Sequence, residues 1–199
     1  MRATVQDLAL FLAGNGALVR VGAVVVGVIR SVARRREFTT VRVGLVEAVA
    51  WFEPPALAVT AYLLLTGREN EGDPSWFALG AAVAGAMLVI LGLALMAWSL
   101  WSWRQLFVGH AVLENHELVT RGAYGLVRHP VYVAADLVWA GLALAFLNPV
   151  AAALTVLYVI PVYYLYARSE ERMMLQSFGD AYRRYSDSVP AFVPRMRRA

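Results

Sequence analysis

The sequence predicts an all-α polytopic membrane bundle: five transmembrane helices, the last two a tight hairpin, then a cytoplasmic helical segment. Three observations predict it. Of 199 residues, 60% are hydrophobic and only 16% charged, more apolar surface than a single soluble core can hide. The apolar residues gather in five runs long enough to cross a bilayer as helix. Arginine-rich and arginine-poor segments alternate between those runs, as positive-inside topology requires. A water-soluble enzyme is excluded. The absence of cysteine excludes disulfides, thiolate catalysis and Cys-ligated metal. The three histidines, His110, His116 and His129, are too few and too scattered to suggest a metal site.

The runs are Leu8–Ile29, Val43–Thr66, Trp76–Trp103, Val131–Leu147 and Pro149–Ala167. The first lacks a basic leader and a convincing cleavage site, and reads as a retained helix. Asn148-Pro149 separates the last two as a turn signal. Gly85, Gly92 and the alanines of the third run suit close helix packing, within or between chains. Arg30, Arg34, Arg35, Arg36 and Arg42 follow the first run, and GRENEGDPS follows the second. Arg104, Arg121 and Arg128 follow the third, and the tail carries Arg172, Arg183, Arg184, Arg195, Arg197 and Arg198. The N-terminus is therefore expected outside and the C-terminus in the cytoplasm, at an inner membrane. All eighteen basic residues are arginine, giving a net charge of +4. Because they flank apolar spans, they indicate topology and contact with membrane lipids, not nucleic acid.

Two regions follow: three N-terminal helices over 1–103, and a chemical region over 104–199 whose polar segments both face the cytoplasm. Inside the apolar runs, Arg20 and Glu53 fall at a similar depth, about 14–15 Å from the inner surface, and are expected to pair or share a polar network. Pro54-Pro55 is expected to break the helix beside Glu53. Asp136 shares a helix face with His129 and Tyr132, and a carboxylate there is expected to face a pocket.

Two segments carry the chemistry. One reads HELVTRGAYGLVRHPVY over His116–Tyr132. The other holds Glu170-Glu171, then Phe178-Gly179, Tyr182, Tyr185 and a final Phe192-Val193-Pro194. Together, over about Trp103–Pro194, they resemble the isoprenylcysteine carboxyl methyltransferase family of integral membrane methyltransferases, in the form of its compact prokaryotic members. The resemblance implies S-adenosyl-L-methionine as cofactor, bound between the last helices and the C-terminal segment. It places His116, Leu118, Val119, Tyr124, His129, Pro130 and Tyr132 along the cofactor, with Glu170 at its ribose or amino group. Gly122 joins them as a point of tight turn or close backbone approach. No glycine-rich dinucleotide fingerprint competes with this reading.

Methyl transfer asks the protein to position an acceptor and manage charge. Arg128 is a candidate to orient an acceptor carboxylate. For an amine or hydroxyl acceptor, Glu171 or Asp136 is a candidate base. Trp103, Arg168 and Glu53 are assigned to the acceptor side. The family commonly carries an arginine four residues before the paired acids, where this sequence has Tyr166. Arg168 stands about 200° round the helix from it. That exchange, with Asp136 added, favours a neutral or cationic lipophilic acceptor over an isoprenylcysteine carboxylate. Two alternatives stay open: an NADPH-dependent membrane reductase of the sterol type, and a non-catalytic membrane helper. The acceptor, the oligomeric state and any protein partner are left open by the sequence.

Overall fold

The computed structural model describes residues 1–33, 38–41, 49, 52–66, 75–103, 111–113 and 117–195. Among these, the helices are α1 (Arg2–Ala33), α2 (Glu53–Thr66), α3 (Trp76–Ser102), a short α4 (Ala123–Leu126), α5 (Pro130–Phe146), α6 (Pro149–Phe178) and α7 (Asp180–Ser188). A π turn at Thr155–Val159 interrupts α6.

The helix limits follow local chemistry. Ser75 caps α3 by accepting from the Ala78 amide at 3.1 Å, and the α3 end is closed by the Trp103 amide bonding Ser99 O at 3.0 Å. Pro130 and Pro149 stand in the first turns of α5 and α6, where a missing N–H costs nothing. Leu147 is left-handed (φ 48°), and the Asn148 side chain then caps α6 through Ala151 N at 2.9 Å. Only Leu147 and Asn148 separate α5 from α6. As expected of Pro54-Pro55, the helical run is interrupted beside Glu53: Val49 is helical, Phe52 is a turn, and α2 starts anew. Both prolines lie in the first turn of α2, which starts at Glu53.

The helical class holds, with one addition. Strands β1 (Phe38–Val41) and β2 (Ala111–Leu113) pair antiparallel, Thr40 against Val112 and Val41 against Ala111. This ribbon brings the segment after α1 and the segment after α3 to the same end of the bundle. Two helices, Trp76–Ser102 and Pro149–Phe178, are long and apolar enough to cross a membrane, and Pro130–Phe146 is a shorter apolar helix. Large apolar side chains on α3 point outward, Trp76 and Trp101 being 86% and 78% exposed and Met87, Ile90 and Leu91 also exposed. Such a surface suits lipid, not water.

Among the described residues, the most extensive helix interface lies between α3 and α5, and glycine makes it possible. A Cβ at Gly85 would overlap the backbone of Gly141 and Ala145, and one at Gly141 would press on Gly85 O and Val89. The close packing foreseen for Gly85 and Gly92 is therefore intramolecular, against α5. Around this seam the core gathers Val89, Val138, Trp139, Leu142 and Phe146, with Ala9, Ala13 and Leu64 from α1 and α2. Gln6, fully buried, bonds Ala145 O at 3.0 Å and fixes the start of α1 to the end of α5.

Candidate functional site

The site forms at the end of the bundle where α5 begins. Gly122 adopts φ 64°, and a Cβ there would collide with Ser102 Oγ at the end of α3. Ser102 Oγ also accepts from Ala123 N at 3.1 Å. The close approach expected at Gly122 is thus made to α3, and it aims the chain through α4 into Arg128-His129-Pro130.

Arg128 and His129 then meet two other parts of the chain. Their amides donate to Pro190 O (2.8 Å) and Ala191 O (3.1 Å), pairing the backbone with the segment after α7. The Arg128 guanidinium donates Nε and Nη2 to Glu171 Oε1 at 2.9 and 2.6 Å. Its Nη1 donates to Ser186 O and Val189 O at 2.8 and 2.6 Å. One side chain therefore ties together the start of α5, the end of α6 and the C-terminal strap.

His129, 7% exposed, sits between the paired acids. Its Nε2 lies 3.1 Å from Glu171 Oε1, and its Nδ1 lies 3.7 Å from Glu170 Oε2. The apolar stretch of α6 ends near Ala167, so both acids stand beyond it. Burial opposes the charge of Glu171, but hydrogen bonds from His129 and Arg128 outweigh it and hold its pKa down to about 2. For His129, burial likewise opposes the imidazolium, and the bonds to Glu170 and Glu171 raise its pKa on balance.

Aromatic rings continue the cluster. Tyr163, Tyr132, His129 and Phe192 stack in sequence at centroid spacings of 5.0, 5.6 and 5.4 Å, and Tyr166 meets Tyr132 edge-on at 5.5 Å. Tyr185 Oη donates to Tyr124 O at 2.7 Å. Burial, with Glu170 and Tyr185 nearby, pushes the Tyr124 phenol up.

Residues 81–181, half of the chain, match the phospholipid methyltransferase family. The chain belongs to this family. Its likeness to the isoprenylcysteine carboxyl methyltransferases holds as well. Protein-S-isoprenylcysteine O-methyltransferases B and A of Arabidopsis thaliana are 35% and 39% identical to it over 85 residues, 41% of this chain and 41% of each relative. The nickel-cobalt-cadmium resistance protein NccN of Alcaligenes xylosoxydans xylosoxydans is 26% identical over 140 residues, 70% of this chain and 62% of that one. The matched stretch thus spans about two fifths of the plant relatives. With the outward-facing apolar helices, membership of a membrane methyltransferase family makes this a membrane protein.

Within this methyltransferase-family chain, the structure brings together Arg128, His129, Pro130, Tyr132, Glu170 and Glu171, with Tyr124 beside them. Leu118 and Val119 are half-buried in the segment before α4, and His116 lies outside the described residues. The acceptor-side assignments do not converge in the same way. Trp103 caps α3, and Arg168 is exposed while Tyr166 faces Tyr132. Asp136 is half-buried one turn beyond Tyr132. Glu53, 4% exposed, accepts from Trp139 Nε1 at 3.1 Å in the core. The side chain of its expected partner Arg20 lies outside the described residues. The site residues not singled out from the sequence are Tyr163, Phe192 and the strap carbonyls. Phe192 was signalled by the closing Phe-x-Pro pattern. Tyr163 had only its three-residue spacing from Tyr166, and backbone carbonyls leave no sequence mark.

Proposed function

We propose that the chain is an integral membrane methyltransferase that uses S-adenosyl-L-methionine and methylates a lipophilic acceptor reached from the bilayer, at the cytoplasmic face. The observation that carries the reading is the unequal use of the two acids. Glu171 is committed to Arg128 and His129. Glu170 lies 3.7 Å from His129 and keeps 16% of its side chain exposed, near Tyr124 and Tyr132. A carboxylate with acceptor capacity left, next to flat rings, can accept from ribose hydroxyls or an ammonium group while the rings face an adenine. The residues present fit the cofactor.

In this reading, residues 104–199 are the catalytic region and 1–103 its membrane scaffold of three further spans, five in all, with the N-terminus outside. S-adenosylmethionine supplies an electrophilic methyl carbon with its leaving group already attached. Glu170 binds its hydroxyls or ammonium, while Leu118, Val119, Tyr124, Pro130 and Tyr132 form the wall. His116 and Gly122 belong to the same wall by resemblance. Arg128 and Glu171 act here as positioning residues, since the guanidinium already serves one carboxylate and two carbonyls. Tyr166 and Asp136 line the acceptor side, with Trp103, Glu53 and Arg168 further out. An aromatic ring and a carboxylate suit a neutral or cationic acceptor, and Asp136 is placed to take a proton from an amine or hydroxyl.

Calorimetric titration of the detergent-purified protein with S-adenosylmethionine, S-adenosylhomocysteine and NADPH tests the reading, wild type beside Glu170→Ala. The expected result is adenosyl-ligand binding that weakens about 10–100-fold in the variant, the loss of a charge-assisted hydrogen bond. NADPH binding without adenosyl binding would sink it.

A further inference from the structure

Burial along α6 recurs every four residues: Ala151, Thr155, Val159, Tyr163 and Ala167 are all buried. A regular α-helix cannot do this over five positions. At about 100° per residue, steps of four drift by about 40° each, and Ala151 and Ala167 would point about 160° apart. The π turn at Thr155–Val159 accommodates one extra residue, which takes back about 100° and returns the later positions to the packed side.

The cause is local. Pro161 has no amide hydrogen, and in an α turn its ring would crowd the carbonyl of Leu157. Widening the turn just before it relieves both. Thr155 adds a bond from Oγ1 to Ala151 O at 2.8 Å. Both ends of the helix are pinned to α5. At one end, the Asn148 amide bonds Ala143 O at 3.1 Å. At the other stand the Tyr132–Tyr163 stack and the Arg128–Glu171 bonds. With its ends fixed, the number of residues per turn in between decides which side chains face α5.

We infer that the π turn is a positioning element: its extra residue, held there by Pro161, rotates Tyr163, Tyr166, Glu170 and Glu171 onto α5. Its consequence for the cofactor rests on the function proposed above. Its geometry does not.

The test is a double-mutant cycle on Arg128→Ala and Glu171→Ala, read as melting temperature in detergent, in three backgrounds. One is wild type. The second lacks Leu157 and carries Pro161→Ala, which lets the turn close to α without changing what faces α5. The third has one alanine inserted after Leu157, which rotates everything beyond it by about 100°. The Arg128–Glu171 coupling is expected in the first two and absent in the third. S-adenosylhomocysteine affinity should stay within about threefold in the deletion background and fall at least about tenfold with the insertion.

Coupling lost in a monodisperse deletion variant, or kept in the insertion variant, overturns the inference. So does a deletion variant that cannot be purified as a monodisperse species, because an absorbed deletion leaves the downstream packing unchanged. If the insertion variant fails to fold, the deletion background decides alone. Coupling kept where no variant, wild type included, binds S-adenosylhomocysteine would sink the proposed function and leave the register device standing.

Discussion

Arg128 and Glu171, 43 positions apart, meet at one carboxylate oxygen, which accepts from Nε at 2.9 Å and from Nη2 at 2.6 Å. The two remaining bonds of the guanidinium go to the carbonyls of Ser186 and Val189. A planar fork is needed to serve three segments at once. Arg128→Ala should cost about 2–4 kcal/mol, because it leaves the half-buried Glu171 carboxylate with His129 alone and frees the strap. Arg128→Lys should recover only part of this. Thermal unfolding in detergent gives the loss, and limited proteolysis beyond residue 188 should show the strap cut faster in both variants.

The same cluster fixes the pH response. Glu171 has its pKa lowered from 4.5 to about 2, so its contribution is complete above 4.5 and fades as pH falls toward 2. His129 has its pKa raised from 6.5, so its contribution is complete below 6.5 and fades as pH rises through the raised value. Melting temperature against pH should therefore be highest from about 4.5 to 6.5 and fall on both sides. His129→Asn should flatten the alkaline flank, and Glu171→Gln the acid one. An alkaline flank unchanged in His129→Asn would show that another group sets it.

Gly85 and Gly80 offer a matched pair on α3. A Cβ at Gly85 meets the backbone of Gly141 and Ala145, while one at Gly80 meets nothing within 4 Å. Backbone cannot yield as a side chain can. Gly85→Ala should cost about 2–3 kcal/mol by forcing α3 from α5, and Gly80→Ala should be neutral or slightly stabilising through helix propensity. Melting temperatures of the two variants decide it.

Trp139 and Glu53 make a further test. Trp139→Phe keeps the ring in the core and removes the bond to Glu53 Oε1. A buried carboxylate that loses a donor should cost about 1–3 kcal/mol. Glu53→Gln in the Trp139→Phe background should recover part of that, because an amide is cheaper to leave short of a partner than a charge. Thermal unfolding of the two variants measures both steps.

Much of this was legible in the chain itself. Apolar runs marked α3, α5 and the start of α6 to within a residue or two, because helix length is written in consecutive residues. Asn148-Pro149 marked the boundary between α5 and α6, and His129, Tyr132 and the Glu170-Glu171 pair, named from their order, lie together in the candidate site. The role of Arg128 was not legible. A guanidinium that could greet a substrate carboxylate instead grips Glu171 and the carbonyls of Ser186 and Val189, and carbonyls look alike in every sequence. Nor was the β1–β2 ribbon legible, since two short segments about seventy residues apart carry no periodicity of their own.

By itself the sequence determined the solvent of this protein, its helical class, and which residues are chemically able to form the site. Those are properties of composition and local spacing. Tertiary structure decided which of those residues face one another. Helix phase accumulates at about 100° per residue, so one extra residue before Pro161 redirects every side chain beyond it. Pro161 favours the wider turn locally, and packing against α5 decides what that phase brings together: Glu170 and Glu171 at His129.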